Sequence, residues 1–397
     1  MYSPECLKTL HVNNTRYSNV TTHHKDTFEW LWTSPEYVAW SCAERSSLLL
    51  IDGKPGSGKS TLVRYFKDHH GSQSYTVGEH AIVSDFFYSR RDGESERSHC
   101  NMLRSLLYDI LAADESFFIH FQEQFRHLSG EVNGSWPYGT LKSILLACGR
   151  HPLKRTLVFI VDAIDESDET DRWDATSFLL QLSTPVSTNC VVKVFLASRP
   201  INELQQDPTV TCNCIRLQER NKEDIYKYTD AFLGDQVFCH AQGFKKQAQE
   251  YIVQHADGVF LWVSLIRKAL VRYASNGRSI AQLMTYLKGL PMEIASYYVL
   301  MLEALESGDP DDIRDGRRVL QFCLFSHRAV KLIELDHALA IPGHSLDTGL
   351  DTASWEARRP IDIRKRVTHC AGNFVEIRSR RLLGADGKSP VFFDFSV

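Results

Sequence analysis

Residues 53–61 are the part of the chain whose types and spacing could do chemistry. They read Gly-Lys-Pro-Gly-Ser-Gly-Lys-Ser-Thr, which is the pattern of a phosphate-binding loop, or P-loop. Consecutive backbone N–H groups and the positive end of a helix dipole surround a triphosphate in such a loop. The glycines allow positive φ and a close approach of the backbone to phosphate oxygens. The residues expected to contact a nucleotide are Gly53, Pro55, Gly56, Ser57, Gly58, Lys59, Ser60 and Thr61.

Two side chains of this loop have separate expected roles. Lys59 supplies a positive charge to the β- and γ-phosphates, and the Ser60 hydroxyl supplies a ligand to Mg²⁺. The flanking sequence fits these roles, because residues 46–52 are typical of a short buried strand and residues 61–66 of the first turns of a helix. The pattern therefore predicts a strand, a phosphate loop and a helix in that order.

An acidic cluster follows a second apolar run. Residues 156–161 read Thr-Leu-Val-Phe-Ile-Val, as expected for a central parallel strand that is buried on both faces. A carboxylate at the end of such a strand holds Mg²⁺ opposite the P-loop hydroxyl, and we assign this metal-binding role to Asp162. Asp165 and Glu166 lie just beyond it, where one of them could orient or polarise the attacking water, so both are candidate catalytic residues.

A polar residue also follows the next predicted strand. Residues 191–197 form an apolar run that ends in Ser198, Arg199 and Pro200. A cation at the tip of this strand would sense the γ-phosphate, so Arg199 is a third candidate catalytic residue.

The remaining elements must place these residues together. Residues 80–88 and 214–217 complete a set of five predicted strands, and helical patterns separate them. This alternation predicts an α/β fold, a P-loop NTPase with a five-stranded parallel sheet and nucleotide at the carboxyl ends of the strands. An all-α helical region and a partial winged-helix-like region are expected to follow. The predicted divisions are an N-terminal linker segment (1–40), the NTPase domain (41–220), a helical domain (221–308) and a winged-helix-like, truncated C-terminal region (309–397).

Composition restricts the partners and the compartment. The chain has 397 residues, a net charge of −4 and no long basic run, so we expect no nucleic-acid surface. The most apolar stretch, residues 258–266, is too short to span a bilayer, so no membrane partner is expected. Ten scattered cysteines and an N-terminus without an apolar signal segment favour reduced thiols in the cytoplasm.

The motifs in combination resemble a known family. Residues 53–60, 162–166 and 198–200 are similar to the NACHT-type (STAND) P-loop NTPases of the fungal NOD-like receptor group. The subgroup that the chain resembles carries a nephrocystin-3-like N-terminal P-loop module, and residues 27–32 and 257–263 share in the resemblance, which covers roughly residues 5–340.

The resemblance implies a signal-transducing ATPase that switches between a closed ADP form and an open, oligomerising ATP form. It implies ATP or ADP and Mg²⁺ as ligands, with Lys59 and Ser60 at the phosphates, Asp162 at the metal and Arg199 as the sensor. The partners that it implies are further copies of the chain or a related full-length receptor, in a pathway of innate immunity or heterokaryon incompatibility.

Three departures from the family pattern leave a second function open. Ala163 stands where the family usually has glycine, and no internal repeat of 20–50 residues is visible. The sequence reaches Val397 where the family's histidine-bearing motif should begin, which suggests a truncated or divergent product. The alternative to a switch is therefore a nucleotide-binding scaffold that does not hydrolyse, or a fragment that modulates full-length relatives.

A guanine-binding alternative rests on residues 221–224. They read Asn-Lys-Glu-Asp, which matches the NKxD pattern of GTPases. A GTPase would also carry a DxxG sequence after the metal-binding strand, whereas residues 162–165 read Asp-Ala-Ile-Asp. We therefore predict that Asn221 caps a helix and that ATP is preferred over GTP.

Overall fold

The chain forms two compact units in the computed structural model. The first comprises Met1–Arg90 with Glu94–Leu290, and the second comprises Arg91–Gly93 with Pro291–Val397. The residues that the structure describes are 4–72, 81–90, 92–128, 136–184, 186–187, 189–201, 204, 213–235, 238, 242–306, 309–328, 330–341, 355–371, 374–379 and 391–394.

A five-stranded parallel sheet lies at the centre of the first unit, as predicted. Its order is β2-β3-β4-β1-β5, so β4 lies between the P-loop strand and the strand that ends in the acidic cluster. The carboxyl ends of all strands in a parallel sheet meet at one edge, where the candidate site residues follow. The strands are β1 (Ser47–Asp52), β2 (Ile82–Phe87), β3 (Arg155–Asp162), β4 (Cys190–Ser198) and β5 (Cys214–Arg216).

Both faces of the sheet are covered, which explains the continuous apolar runs of its strands. Successive residues of β1 alternate between two buried clusters, with Leu48 and Leu50 in one and Leu49 and Ile51 in the other. Because both faces of the strand are apolar, each face must be covered by helices, as expected of a doubly wound sheet.

The helices of the first unit cover the sheet and then continue as a helical region. Leucine and isoleucine at helical spacing over residues 103–111 are buried on one of these helices. They are α1 (Pro4–Leu10), α2 (Arg16–Asn19), α3 (Pro35–Cys42), α4 (Lys59–His69), α5 (His99–Ala113), α6 (Phe118–Leu128), α7 (Tyr138–Cys148), α8 (Arg172–Leu182), α9 (Leu217–Arg220), α10 (Lys222–Leu233), α11 (Gln242–His255), α12 (Phe260–Ala274) and α13 (Ile280–Gly289).

The chain before β1 is part of the core of this unit. Phe28, Trp32, Tyr37 and Trp40 are buried in the same cluster as the P-loop helix α4. Burying a large aromatic side chain stabilises a fold by about 1.5–3 kcal/mol. Residues 1–40 were predicted to be a linker, and the structure instead packs the aromatic part of this segment against the sheet.

The second unit is mainly helical. Its described helices are α14 (Ile294–Glu306), α15 (Pro310–Phe325), α16 (Leu332–Ala340) and α17 (Ile363–Cys370). Strands β6 (Glu376–Ser379) and β7 (Val391–Asp394) pair antiparallel. Asp309 accepts a hydrogen bond from the N–H of Asp311 and so caps the start of α15.

The division between the units falls at Leu290 and Pro291 rather than at residue 308. Pro291 follows the end of α13 at this point, because proline cannot continue a helix. The winged-helix-like region over 309–397 stays a prediction. No helix among the described residues is long and apolar enough to cross a membrane.

Candidate nucleotide-binding site

The P-loop connects β1 to α4 at the carboxyl edge of the sheet. Gly56 and Gly58 have φ of 72° and 99°, values that glycine adopts without strain. A Cβ on Gly56 would lie 2.7 Å from the Cβ of Leu261, so the loop also requires glycine there for packing. Gly53 does not have positive φ. Glycine is required there because a Cβ would lie only 2.7 Å from the Ser57 Oγ.

Lys59 bends back over its own loop. Its Nζ donates hydrogen bonds to the carbonyl oxygens of Gly53, at 2.6 Å, and of Lys54, at 3.2 Å. Burial lowers the pKa of Lys59, and the carboxylates of Asp165 and Asp162 oppose that shift. The ammonium group therefore lies beside the loop and among the acidic residues, and its two carbonyl contacts could be exchanged for phosphate oxygens.

Asp162 lies at the end of β3 and is 1% exposed. The Ser60 hydroxyl faces its carboxylate, and no other residue that the structure describes donates a hydrogen bond to it. Burial raises the pKa of this carboxyl to about 7, Glu166 adds to the shift, and the neighbouring Ser60 hydroxyl, Arg16 and Lys59 oppose it.

Asp162 and Ser60 together fit a hard cation. A buried carboxylate with so few hydrogen-bond donors is costly unless a cation or a proton neutralises it. Carboxylate and hydroxyl oxygens are the ligands that Mg²⁺ takes beside nucleotide phosphates. The donor set at the end of β3 is thus suited to Mg²⁺.

Asp165 and Arg199 are brought together by the ends of β3 and β4. The Arg199 Nε lies 3.2 Å from one carboxylate oxygen of Asp165, and the Arg199 backbone N–H donates to the other at 3.0 Å. The carboxylate of Glu166 accepts a hydrogen bond from the backbone N–H of Arg90 at 3.3 Å. Each predicted catalytic residue therefore lies at this edge of the sheet, with Asp165 and Arg199 paired.

A left-handed residue turns the chain into the acidic cluster. Ala163 has φ 58° and ψ 46°, and its N–H donates to the carbonyl of Ala197 in β4 at 3.0 Å. The turn leads into a short 3₁₀-helix, Ile164–Glu166, that carries both candidate catalytic carboxylates. Alanine in this conformation is strained because its Cβ crowds the following carbonyl oxygen.

We expect Ala163→Gly to stabilise the protein. Glycine adopts the left-handed conformation without the steric cost, which should raise the free energy of unfolding by roughly 0.5–1 kcal/mol after its larger unfolded-state entropy is counted. Urea unfolding of both proteins measures the difference. Ala197→Gly is the matched control, because Ala197 lies in the regular strand β4, where glycine should destabilise. A loss of stability in Ala163→Gly would contradict the expectation.

The asparagine and aspartate of the NKxD pattern form hydrogen bonds with other groups of the protein. Asn221 is fully buried, and its Nδ2 donates to the carbonyl oxygens of Ser57, at 3.1 Å, and Gly258, at 2.8 Å. The Asp224 carboxylate accepts from the Phe28 N–H at 3.1 Å and from the Trp30 Nε1 at 2.8 Å. Asn221 stands at the N-cap position of α10, as predicted, but its side chain makes no capping hydrogen bond.

The start of α12 packs directly on the P-loop. The Leu261 N–H donates to the Gly56 carbonyl at 3.0 Å, and Lys54 forms an ion pair with Asp257. Gly258 has φ 76°, and a Cβ there would lie 2.5 Å from the Cα of Gln218. Residues 256–261, which we name the loop clamp, thus lie against the outer side of the nucleotide loop and are held there by Asn221.

The sequence located the P-loop, the acidic cluster and Arg199, but it did not indicate the loop clamp or the P-loop contact of Asn221. These contacts join residues that are 37 to 205 positions apart in sequence, and periodicity carries no information over such distances. Gly258 after Asp257 was the one available signal, since a glycine at the start of an apolar helix often marks a close backbone approach.

The fold and the site are those of a protein with a P-loop nucleotide-binding module. Residues 26–199 match the family described as "Nephrocystin 3, N-terminal", so this part of the chain is similar to the N-terminal module of that family. The chain is 26% identical over 391 residues to the vegetative incompatibility protein HET-E-1 of Podospora anserina. That alignment covers 94% of this chain and 27% of the relative, so the chain spans about a quarter of the length of the curated protein it matches.

Solved structures give weaker likenesses. A chain of the Drosophila ORC structure bound to DNA is 10% identical, with 98% of this chain and 87% of that chain covered and a TM-score of 0.41. The Walker-type ATPase of Pyrococcus abyssi is 15% identical, with 98% and 97% covered and a TM-score of 0.37. TM-scores this low do not establish a common architecture, and the fold assignment rests on the sheet itself.

Proposed function

We propose that the chain binds ATP with Mg²⁺, hydrolyses it slowly and acts as a nucleotide-dependent switch in signal transduction. The pathway that the similarity to a vegetative incompatibility protein favours is of the NOD-like receptor type, with further copies of the chain or a related full-length receptor as partners. Lys59 and the loop amides would hold the phosphates. Ser60 and Asp162 would hold Mg²⁺, which neutralises the charge that develops on the phosphates during transfer.

The hydrogen bonds between the P-loop and the loop clamp are the main support for the proposed switch. Two P-loop carbonyl oxygens, those of Gly56 and Ser57, accept hydrogen bonds from the Leu261 N–H and the Asn221 side chain. A change in the loop backbone when phosphates bind therefore changes contacts that hold the start of α12. A ligand shifts a conformational equilibrium through its different affinity for the two states, and these hydrogen bonds give nucleotide a route to the helical region.

Two side chains argue for ATP rather than GTP. Guanine recognition by an NKxD sequence needs its asparagine and aspartate side chains to face the base. Asn221 and Asp224 instead hold backbone and indole groups of the protein, and both are almost fully buried. Releasing Asp224 would leave the Phe28 and Trp30 donors without their partner, at a cost of about 1–3 kcal/mol.

The pairing of Asp165 with Arg199 favours the alternative, a nucleotide-binding scaffold that does not hydrolyse. In this arrangement a guanidinium and a backbone N–H each occupy one oxygen of the Asp165 carboxylate, which leaves fewer lone pairs for the attacking water. Hydrolysis with Asp165 as the base would be favoured if Arg199 left it, for example by moving to the γ-phosphate. The two functions thus differ in whether this pair opens when ATP binds.

The proposed switch is tested by hydrogen exchange and turnover on the purified chain. We expect the amides of the loop clamp to exchange at different rates with ADP and with ATP, because the Leu261 N–H bonds to the loop. We also expect the double variant Asp165→Asn, Glu166→Gln to retain ATP and to lower turnover by about 100-fold. Equal exchange with both nucleotides would contradict the switch, and a wild-type protein that binds ATP without turnover would establish the scaffold.

A further inference from the structure

A short segment before the aromatic region of the first unit lies at the carboxyl edge of the sheet. This edge strap comprises residues 14–17, with Arg16 as the first residue of α2. The Asn14 Nδ2 donates to the carbonyl oxygen of Phe87, the last residue of β2, at 2.9 Å. The Asn14 Oδ1 in turn accepts from the Arg16 N–H at 3.1 Å, so Asn14 fixes the backbone of the arginine as well.

Aromatic and charged contacts hold the strap from the other side. The rings of Tyr17 and Phe87 meet edge to face with centroids 5.4 Å apart. The Tyr17 hydroxyl bonds to Asp68 of the P-loop helix, and the Lys67 ammonium lies 3.9 Å from the Tyr17 ring centroid. Arg16 is therefore bracketed by two residues that are each anchored to β2 or to α4.

The strap lies beside the metal-binding carboxylate. Phe87 is paired with Asp162 in the register of β2 and β3, and the Tyr88 N–H donates to the Asp162 carbonyl at 3.0 Å. The positive charge of Arg16 also lowers the pKa of Asp162, against the larger effect of burial. The register places the strap, and with it the Arg16 backbone, beside the end of β3, and the effect of Arg16 on Asp162 indicates that its guanidinium faces this end.

We propose that Arg16 is a further residue of the nucleotide site, which contacts the γ-phosphate of bound ATP and stabilises the charge that develops on it during hydrolysis. The proposal rests on the proposed ATP-binding function. Arg199 is engaged by Asp165, so Arg16 supplies a cation at Asp162 that does not depend on opening that pair. A planar guanidinium binds two phosphate oxygens at once, and it keeps its charge at every physiological pH.

The γ-phosphate is present in ATP and absent from ADP, so the two nucleotides separate this role from a structural one. We expect Arg16→Gln to weaken the non-hydrolysable analogue AMP-PNP with Mg²⁺ by about 10-fold and to change ADP affinity by less than about 3-fold. Turnover of ATP should fall by at least about 10-fold. Arg16→Lys keeps the charge without the two-pronged geometry, so its AMP-PNP affinity should lie between those of the wild type and Arg16→Gln.

Calorimetric titration of the full chain with AMP-PNP and ADP measures these affinities. Lys25→Gln is the matched control, because Lys25 is an exposed cation of the same N-terminal stretch and should leave both affinities unchanged. Equal weakening of AMP-PNP and ADP by Arg16→Gln, or no weakening of either, would overturn the proposal for Arg16 alone. A wild-type protein that binds neither nucleotide would overturn the proposed function and this inference together.

Discussion

Lys59→Ala should weaken ATP binding by about 1–3 kcal/mol or more, which is about 5- to 150-fold in the dissociation constant. The ammonium group of Lys59 lies beside the P-loop and donates to the carbonyl oxygens of Gly53 and Lys54. Phosphate oxygens are stronger acceptors for a cation than these neutral carbonyls, because the resulting hydrogen bond is assisted by charge on both partners. Alanine removes the donor and leaves the nucleotide charge without its nearest compensation. Titration with a fluorescent ATP analogue measures the loss.

Lys54→Ala is the matched control for this prediction. Lys54 belongs to the same loop and carries the same charge, but its side chain is 42% exposed and is paired with Asp257 rather than turned into the loop. Exposed ion pairs contribute little, so ATP affinity should change by no more than about 3-fold. Unchanged affinity in a folded Lys59→Ala protein would contradict the P-loop assignment. Equal losses in both variants would point to the overall charge of the loop instead.

The strands and the P-loop were predictable because their signals are local. Five apolar runs gave the sheet, and alternate burial in β1 shows why each run had to be apolar throughout. The spacing of residues 53–61 specified the loop, because phosphate binding constrains glycine, lysine and hydroxyl positions within nine consecutive residues.

The parts that could not be predicted are set by contacts between distant residues. The sequence indicated a capping role for Asn221, and the residue does stand at the start of α10. Its side chain is drawn away from the helix because the Ser57 and Gly258 carbonyl oxygens, buried beside it, need a donor. The linker prediction for residues 1–40 failed to anticipate the burial of Trp32 and Trp40 for a related reason, since short helices without a strong stripe leave little periodic signal.

The charges around the site suggest an order of events when nucleotide binds. Lys59 would exchange its contacts for phosphate more readily than Arg199 would, because its partners are neutral carbonyl oxygens. Arg199 is held by Asp165 and gains a γ-phosphate contact only at the expense of that pair. Release of Asp165 would then coincide with the arrival of ATP, which would keep the candidate base engaged whenever ADP is bound. The loop clamp would respond in the same step, because Gly56 and Ser57 belong to the loop that the phosphates enter.

Asp162→Asn should make the nucleotide-free protein more stable at pH 8 while it abolishes the stabilisation that Mg²⁺ with ATP gives the wild type. Burial raises the pKa of this carboxyl from 3.8 to about 7. The folded state therefore binds the proton more tightly than the unfolded state does, and stability falls as the pH rises through this range. The full difference corresponds to at most about 4 kcal/mol above pH 7, and none of it remains below about pH 4.

Asparagine carries no charge, so the variant avoids the cost of burying an ionised carboxylate. Its buried amide would lack hydrogen-bond partners, however, at a cost of about 1–3 kcal/mol. The net gain at pH 8 should be about 1–3 kcal/mol, and it should disappear or reverse at pH 5, where the wild-type carboxyl is protonated. Thermal unfolding at both pH values, with and without Mg²⁺ and ATP, measures each effect. Asp165→Asn is the matched control, because Asp165 already has Arg199 as a partner and its loss should destabilise the protein at pH 8. A wild-type protein that is more stable than Asp162→Asn at pH 8 without Mg²⁺ would show that protein donors, not a cation, satisfy this carboxylate.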